Sequence, residues 1–211
     1  MKLAERMNRL GTETAFEVLA KARMLEAEGK DIIHLEIGEP DFDTPSNIVE
    51  AGRQALADGH THYGPSPGLK GVRDRIAQEV SETRSISVTG DNVVVTPGAK
   101  PIMFFTILAL AQSGDEVIYP NPGFPIYESV IKFAGARPVS IPLREKRDFR
   151  LDLNQLKDLV TDRTRLIIIN SPQNPTGGVL PPEDLEAIAE IAVARRIPVL
   201  ADEIYSRILY G

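Results

Sequence analysis

Apolar positions along the chain change their rhythm near residue 90. Before that point the spacing is helical. Phe16, Leu19, Ala20 and Leu25 fall at helical spacing, which predicts a helix over residues 12–28 with Gly29 just past its end. A short extended stretch at 32–37 then runs into the turn Gly38-Glu39-Pro40-Asp41. Thr44 is expected to cap a helix that has Pro45 at its first position and Gly59 at its close. A further helix fits residues 69–82. After residue 90, apolar and β-branched runs appear at 92–96, 116–119, 137–141, 165–170 and 197–201. Helical patterns separate several of them, at 101–112, 125–133, 154–160 and 183–195. Strands alternating with helices predict an α/β fold with a mostly parallel central sheet flanked by helices. Such sheets bind ligands beyond the C-terminal ends of their strands. The loops after Thr96, Tyr119, Asn170 and Ala201 are therefore where chemistry is expected.

Composition narrows this picture only a little. A length of 211 residues allows one large domain or parts of two. A 42% hydrophobic, 26% charged chain reads as soluble and globular. The net charge of -6 argues against a nucleic-acid surface, which needs clustered Lys and Arg. Cysteine is absent, which removes disulfides and thiolate chemistry. Charges at Lys2, Glu5 and Arg6 fall where a signal peptide would need its apolar core. The longest apolar run, 101–111, is broken at Thr106 and falls short of the roughly 20 residues of a membrane span. It reads as a buried helix, and a cytoplasmic location is the expectation.

Four loop motifs follow the expected strands. In Thr96-Pro97-Gly98-Ala99-Lys100-Pro101, glycine permits close approach of a ligand, and a helix N-terminus offers N–H groups beside the Lys100 charge. That suits a phosphate, although a tight strand-to-helix turn would have the same residues. In Asn121-Pro122-Gly123-Phe124-Pro125-Ile126-Tyr127, Phe124 can either offer its ring face to a flat ligand or fill the core. Asn170-Ser171-Pro172-Gln173-Asn174-Pro175-Thr176-Gly177-Gly178 is a stiff loop able to aim the Asn174 amide into a crevice. In Ala201-Asp202-Glu203-Ile204-Tyr205, a carboxylate at a buried strand end needs a cation or strong donors. A protonated pyridine nitrogen would serve; alternatively Asp202 caps a helix starting near Ile204. His34, His60 and His62 have no partners at metal-ligand spacing, and no Gly-x-Gly-x-x-Gly or Walker-type loop occurs.

In this order, and together with Gly38-Glu39-Pro40-Asp41-Phe42 and Tyr63-Gly64-Pro65-Ser66-Pro67-Gly68, the motifs resemble the class I/II aminotransferases of the aspartate aminotransferase fold type. The likeness covers essentially the whole chain. It implies fold type I of the pyridoxal 5′-phosphate (PLP) transferases, with residues 1–44 belonging to the small domain and 45–211 to the N-terminal part of the large, cofactor-binding domain. It implies amino-group transfer between an L-amino acid and a 2-oxo acid. Asp202 matches the carboxylate that pairs with the pyridinium nitrogen, which makes the ring an electron sink. Asn174 and Tyr205 match the groups that hydrogen-bond its phenolic oxygen, and Phe124 the aromatic stacked on the ring. Ala99 and Lys100 match the phosphate-binding turn. Tyr63 matches a tyrosine that reaches the phosphate of a neighbouring subunit, implying a homodimer. Gly38 matches the loop against the substrate carboxylate.

One departure bears on activity. The family's Schiff-base lysine stands in a Ser-x-x-Lys setting after the Asp-x-x-Tyr strand, whereas all eight lysines of this chain (2, 21, 30, 70, 100, 132, 146 and 157) precede Asp202. The catalytic lysine and the substrate-clamping arginine are expected beyond Gly211, so the fold is expected to be incomplete and these 211 residues alone inactive. A PLP-dependent lyase of the same fold, or a non-catalytic fragment serving as a binding module, are the alternatives.

Overall fold

The computed structural model describes residues 2–11 and 14–210. After a 3-10 turn at Glu5–Arg9 come three α-helices: α1 (Thr14–Ala27), α2 (Ser46–Ala57) and α3 (Lys70–Arg84). Then α4 (Lys100–Leu110), β1 (Glu116–Asn121), α5 (Ile126–Ala134) and β2 (Arg137–Pro142) follow. The chain continues through α6 (Leu153–Leu159), β3 (Thr164–Asn170), α7 (Pro182–Arg195) and β4 (Val199–Asp202). Its contacts divide into two units, one of Met1–Glu13 with Gly98–Gly211, the other of Thr14–Pro97.

In the first unit the four strands form one sheet in the order β2-β1-β3-β4, and each neighbouring pair is parallel. Parallel neighbours need crossovers, which the intervening helices provide. Strand side chains alternate between the faces, and the core alternates with them. Val117, Tyr119, Leu166 and Ile168 pack with Met103 and Ile107 of α4 and Val130 and Ile131 of α5. Ile118, Ile167 and Ile169 pack on the other face with Leu156 of α6 and Ile188 of α7. Each such side chain withdrawn from water contributes about 1.5–3 kcal/mol before entropy is counted.

Local chemistry ends and starts these helices. Asp152 caps α6, its carboxylate accepting from the N–H groups of Asn154 and Gln155. Gly135 ends α5 at φ +84°, in the left-handed region that glycine tolerates. Pro182 opens α7, where its missing N–H costs nothing. Asp184 in that first turn is buried, and Arg150 grips it through two bonds of 3.0 and 2.9 Å. At the N-terminal end of β1, buried Glu116 accepts from Thr161, Arg163 and Arg137. These donors hold its carboxyl below the usual carboxylate range, the Thr161 hydrogen bond foremost.

The second unit is helical. Gly29 at φ +86° follows α1, and the N–H of Lys30 returns to the Leu25 carbonyl, the closure expected there. Gly59 at φ +80° closes α2 in the same way, with His60 donating to Ala55.

Four expectations are corrected. Thr44 does not cap α2: Pro45 occupies the cap position, without a side-chain hydrogen bond, and the helix begins at Ser46. Residues 92–96 form no strand; Gly90–Asn92 is a 3-10 turn capped by Thr89, and the Val95 N–H donates to the Pro67 carbonyl instead of to a sheet neighbour. A β-branched composition suits an extended backbone, but a ladder also needs a partner in register. The apolar helix at 101–111 is buried on one face only: Met103 and Ile107 are covered while Ile102, Phe105 and Leu108 are exposed. No helix starts near Ile204; that segment forms turns, with Ser206 donating to Glu203 and Ile208 to Tyr205. The expected first two residues of the opening helix, Thr12 and Glu13, lie outside the described residues.

Candidate active site

β1, β3 and β4 end at Asn121, Asn170 and Asp202, and the loops that follow carry three of the four motifs. Because the strands are parallel, these ends share one edge of the sheet. Asn170 and Asp202 are register partners. The Asn170 side chain fastens the edge: its amide donates to the carbonyls of Asp202 (2.9 Å) and Pro172 (3.1 Å), and its oxygen accepts from the Asn174 N–H (2.8 Å).

Asp202 is half-buried at the end of β4. Its Oδ2 accepts from the Tyr127 hydroxyl at 2.5 Å, and its Oδ1 accepts a longer bond (3.3 Å) from the Ile204 N–H. Both donors are neutral, so the carboxylate charge has no counter-ion among the described residues. A protonated ring nitrogen would supply one. The Ile204 bond is the local cap allowed for Asp202 by sequence, but it closes a turn and not a helix.

The phosphate-type turn reaches the same neighbourhood. Ala99 occupies the cap position of α4, Pro101 lies in the first turn, and the start of the helix directs backbone N–H groups outward. Lys100 Nζ stands 5.9 Å from the centre of the Phe124 ring, and that ring meets Tyr127 edge-on at 6.0 Å and 82°. Lys100, Phe124, Tyr127 and Asp202 thus form a continuous series of contacts joining three motifs. Ala99 and Phe124 also pack as partly buried residues against the core on that face of the sheet.

Asn174 and Tyr205 line one cleft of about 420 Å³, with Pro175, Ile208 and Tyr210 among its other walls. The loop bearing Asn174 is held by a residue that composition did not single out. Gln173 is buried; its amide donates to the Pro122 carbonyl (2.8 Å), and its oxygen accepts from the Thr176 N–H and hydroxyl (2.9 and 2.6 Å). Gln173 therefore ties the loop after β3 to the loop after β1. Tyr63 and Gly38 lie in the helical unit, Tyr63 with its side chain fully exposed. Among the described residues no cluster of His, Asp or Glu is arranged to hold a metal, and no helix is long and apolar enough to cross a membrane.

A strand-end carboxylate, a helix-terminus turn with a lysine, and an aromatic ring between them suit a flat, anionic, nitrogen-bearing ring. In comparison with known families, residues 30–211 match the family described as aminotransferase class I and II. The chain belongs to that family. It is 41% identical over 209 residues to a probable aspartate/prephenate aminotransferase of Aquifex aeolicus, covering 99% of this chain and 53% of that protein. It is 37% identical to an aspartate aminotransferase of Bacillus subtilis, covering 100% of this chain and 54% of the relative. Among solved structures, the Thermus thermophilus aspartate aminotransferase with maleate superposes with a TM-score of 0.96 at 37% identity, over 100% of this chain and 55% of that one. An alanine aminotransferase from Pyrococcus furiosus gives 0.94 at 34% identity, over 100% and 54%. The parallel sheet with flanking helices is thus that of the PLP-dependent fold type I enzymes, and the chain spans about half the length of the relatives it matches.

Proposed function

We propose that the protein is a PLP-dependent aminotransferase that moves an amino group between an L-amino acid and a 2-oxo acid. The Asp202 carboxylate carries this reading. It stands at the end of a parallel strand, held by neutral donors, in contact with the tyrosine beside Phe124. Bound PLP would supply an electron sink for charge developing at the amino acid's Cα. Asp202 would hold the proton on the ring nitrogen that makes the sink effective. Lys100 and the start of α4 would take the phosphate, and Ala99 would let the backbone approach it. Phe124 would present a ring face to the cofactor, fixing its plane. Asn174 and Tyr205, which share a cleft, would donate to the phenolic oxygen.

Gly38 is assigned to the substrate's carboxylate side and Tyr63 to the phosphate of a second subunit, which makes the protein a homodimer of amino-acid metabolism. Residues 1–44 are assigned to a small domain and 45–211 to the large one. Aspartate is the first substrate to try, because the relatives from Aquifex and Bacillus carry that name. The reaction is proposed for the whole protein, since these residues span about half of such relatives.

The test is a coupled assay of the whole protein, not of these 211 residues alone, with PLP, L-aspartate and 2-oxoglutarate. Formation of oxaloacetate and glutamate in equal amounts is expected. Release of elimination products without a new amino acid would identify a lyase instead.

A further inference from the structure

Tyr127 belongs to the Phe124 loop motif, yet none of the roles above uses it. Its ring lies in the first turn of α5 and is fully buried, packed in the core with residues such as Met103, Ile107, Val117 and Leu166. A phenylalanine would fill that space. The hydroxyl therefore has to be explained by what it touches, and it touches Asp202 Oδ2 at 2.5 Å, 75 residues away in sequence. A buried phenol needs such a partner, and a bond to an ionised carboxylate is stronger than one between neutral groups. Burial, and then the neighbouring Asp202, push the Tyr127 hydroxyl far above its ordinary pKa. The hydroxyl is therefore the donor in this bond and the Asp202 carboxylate the acceptor. Asp202 itself is on a short strand with two side-chain torsions to fix, and its Oδ1 has only the 3.3 Å bond from Ile204.

We propose that Tyr127 is a positioning residue: by donating to Asp202 Oδ2 from a rigid, buried ring, it locks the carboxylate's rotation and leaves Oδ1 as the oxygen that receives the cofactor's ring N–H. This rests on the proposed cofactor reading of the site. Phe124 makes the arrangement mutual, since its ring is braced edge-on by the same tyrosine. One side chain then orients both the carboxylate at the ring nitrogen and the aromatic assigned to the ring face.

The experiment is a double-mutant cycle on PLP binding by the purified protein, read by cofactor absorbance and by the 15N signal of ring-labelled PLP. Tyr127→Phe keeps the ring and is expected to weaken PLP about tenfold. Asp202→Asn is expected to weaken it at least as much, and the double variant no further than Asp202→Asn alone. In Tyr127→Phe the pH at which the bound ring nitrogen loses its proton should fall, a signature that a purely structural tyrosine would not move. Replacing Tyr127 by 3-fluorotyrosine, a stronger donor in nearly the same shape, should leave binding as tight as in the unaltered protein or tighter. Additive losses in the cycle, an unchanged or raised 15N midpoint, or weaker binding by the fluorinated protein would overturn the positioning role. Normal binding by Tyr127→Phe with weakened binding by Asp202→Asn overturns it while sparing the cofactor reading. Normal binding by Asp202→Asn overturns both.

Discussion

In the sheet unit, Ile118, Ile141, Leu156, Leu166, Ile167 and Ile168 are all completely withdrawn from solvent. In the unit Thr14–Pro97, Ile33 and Leu35 are 85% and 90% exposed, and the buried apolar residues there are Ala22 and Ala77. The helical unit is poorer in apolar residues, and the two regions also differ in how their backbones are satisfied. Strands must find partners distant in sequence, and doing so stacks their side chains into two cores. Helices satisfy their own backbones, so α1 to α3 form with little of their apolar surface covered. Local pairs such as Lys70–Asp74 and Arg53–Glu50 add little to that order, as exposed ion pairs do. The same contrast runs through the candidate site: Asp202, Phe124 and Asn174 sit on the buried scaffold, while Tyr63 projects from the region that buries least.

The widest gap should appear in stability. Ile167→Ala in β3 is expected to cost about 2–5 kcal/mol, and Leu35→Ala within about 0.5 kcal/mol of nothing, by urea denaturation. Equal losses would erase the distinction between the units. Next in size is Gly123→Ala. An added Cβ would stand 2.2 Å from the Pro120 carbonyl oxygen, which is backbone and cannot swing aside. A loss of about 1–3 kcal/mol is expected, accompanied by weaker PLP binding because the loop carries Phe124.

Smaller effects should follow pH, with opposite signs in the two regions. Glu116 has a folded pKa below its unfolded value, so its contribution is present above the unfolded pKa and lost as pH falls through the folded one. The stability gap between the protein and Glu116→Gln should therefore close on acidification below about pH 4, near the unfolded glutamate value. His34, in the helical unit, is flanked by Glu26 at 2.8 Å and Glu36 at 2.6 Å, and these hydrogen bonds raise its pKa. Its contribution is present below the unfolded histidine value and lost as pH rises through the folded one. His34→Gln should thus be less stable than the parent only on the acidic side of that transition, by a small margin because the site is exposed. A gap that widens with rising pH would contradict the assignment.

Strand runs at 116–119, 137–141 and 165–170 were legible because dense β-branched positions, bounded by turn residues, signal buried parallel strands with little ambiguity. The run at 92–96 has the same composition, yet nothing local in Val93, Val94 and Val95 records that Val95 bonds to Pro67 and not to a strand. The placement of the candidate site was legible as far as it sits in short motifs: Gly98-Ala99-Lys100 before a helix, and Asp202 ending a strand. What was not legible is tertiary. Gln173 joins two loops across 51 positions, and Tyr127 reaches Asp202 across 75. A buried glutamine in a proline-rich loop and a tyrosine in an apolar helix face look like loop and core until the strands bring their partners near.

The most direct test of the central claim is an equilibrium titration of the purified protein with PLP, comparing the unaltered chain with Asp202→Ala. Saturable binding that Asp202→Ala weakens by an order of magnitude or more is the predicted result, in keeping with the loss of a charge-assisted hydrogen bond worth about 1.5–3 kcal/mol. Indistinguishable titrations of the two proteins, or no binding by either, would contradict a cofactor site built on the end of β4.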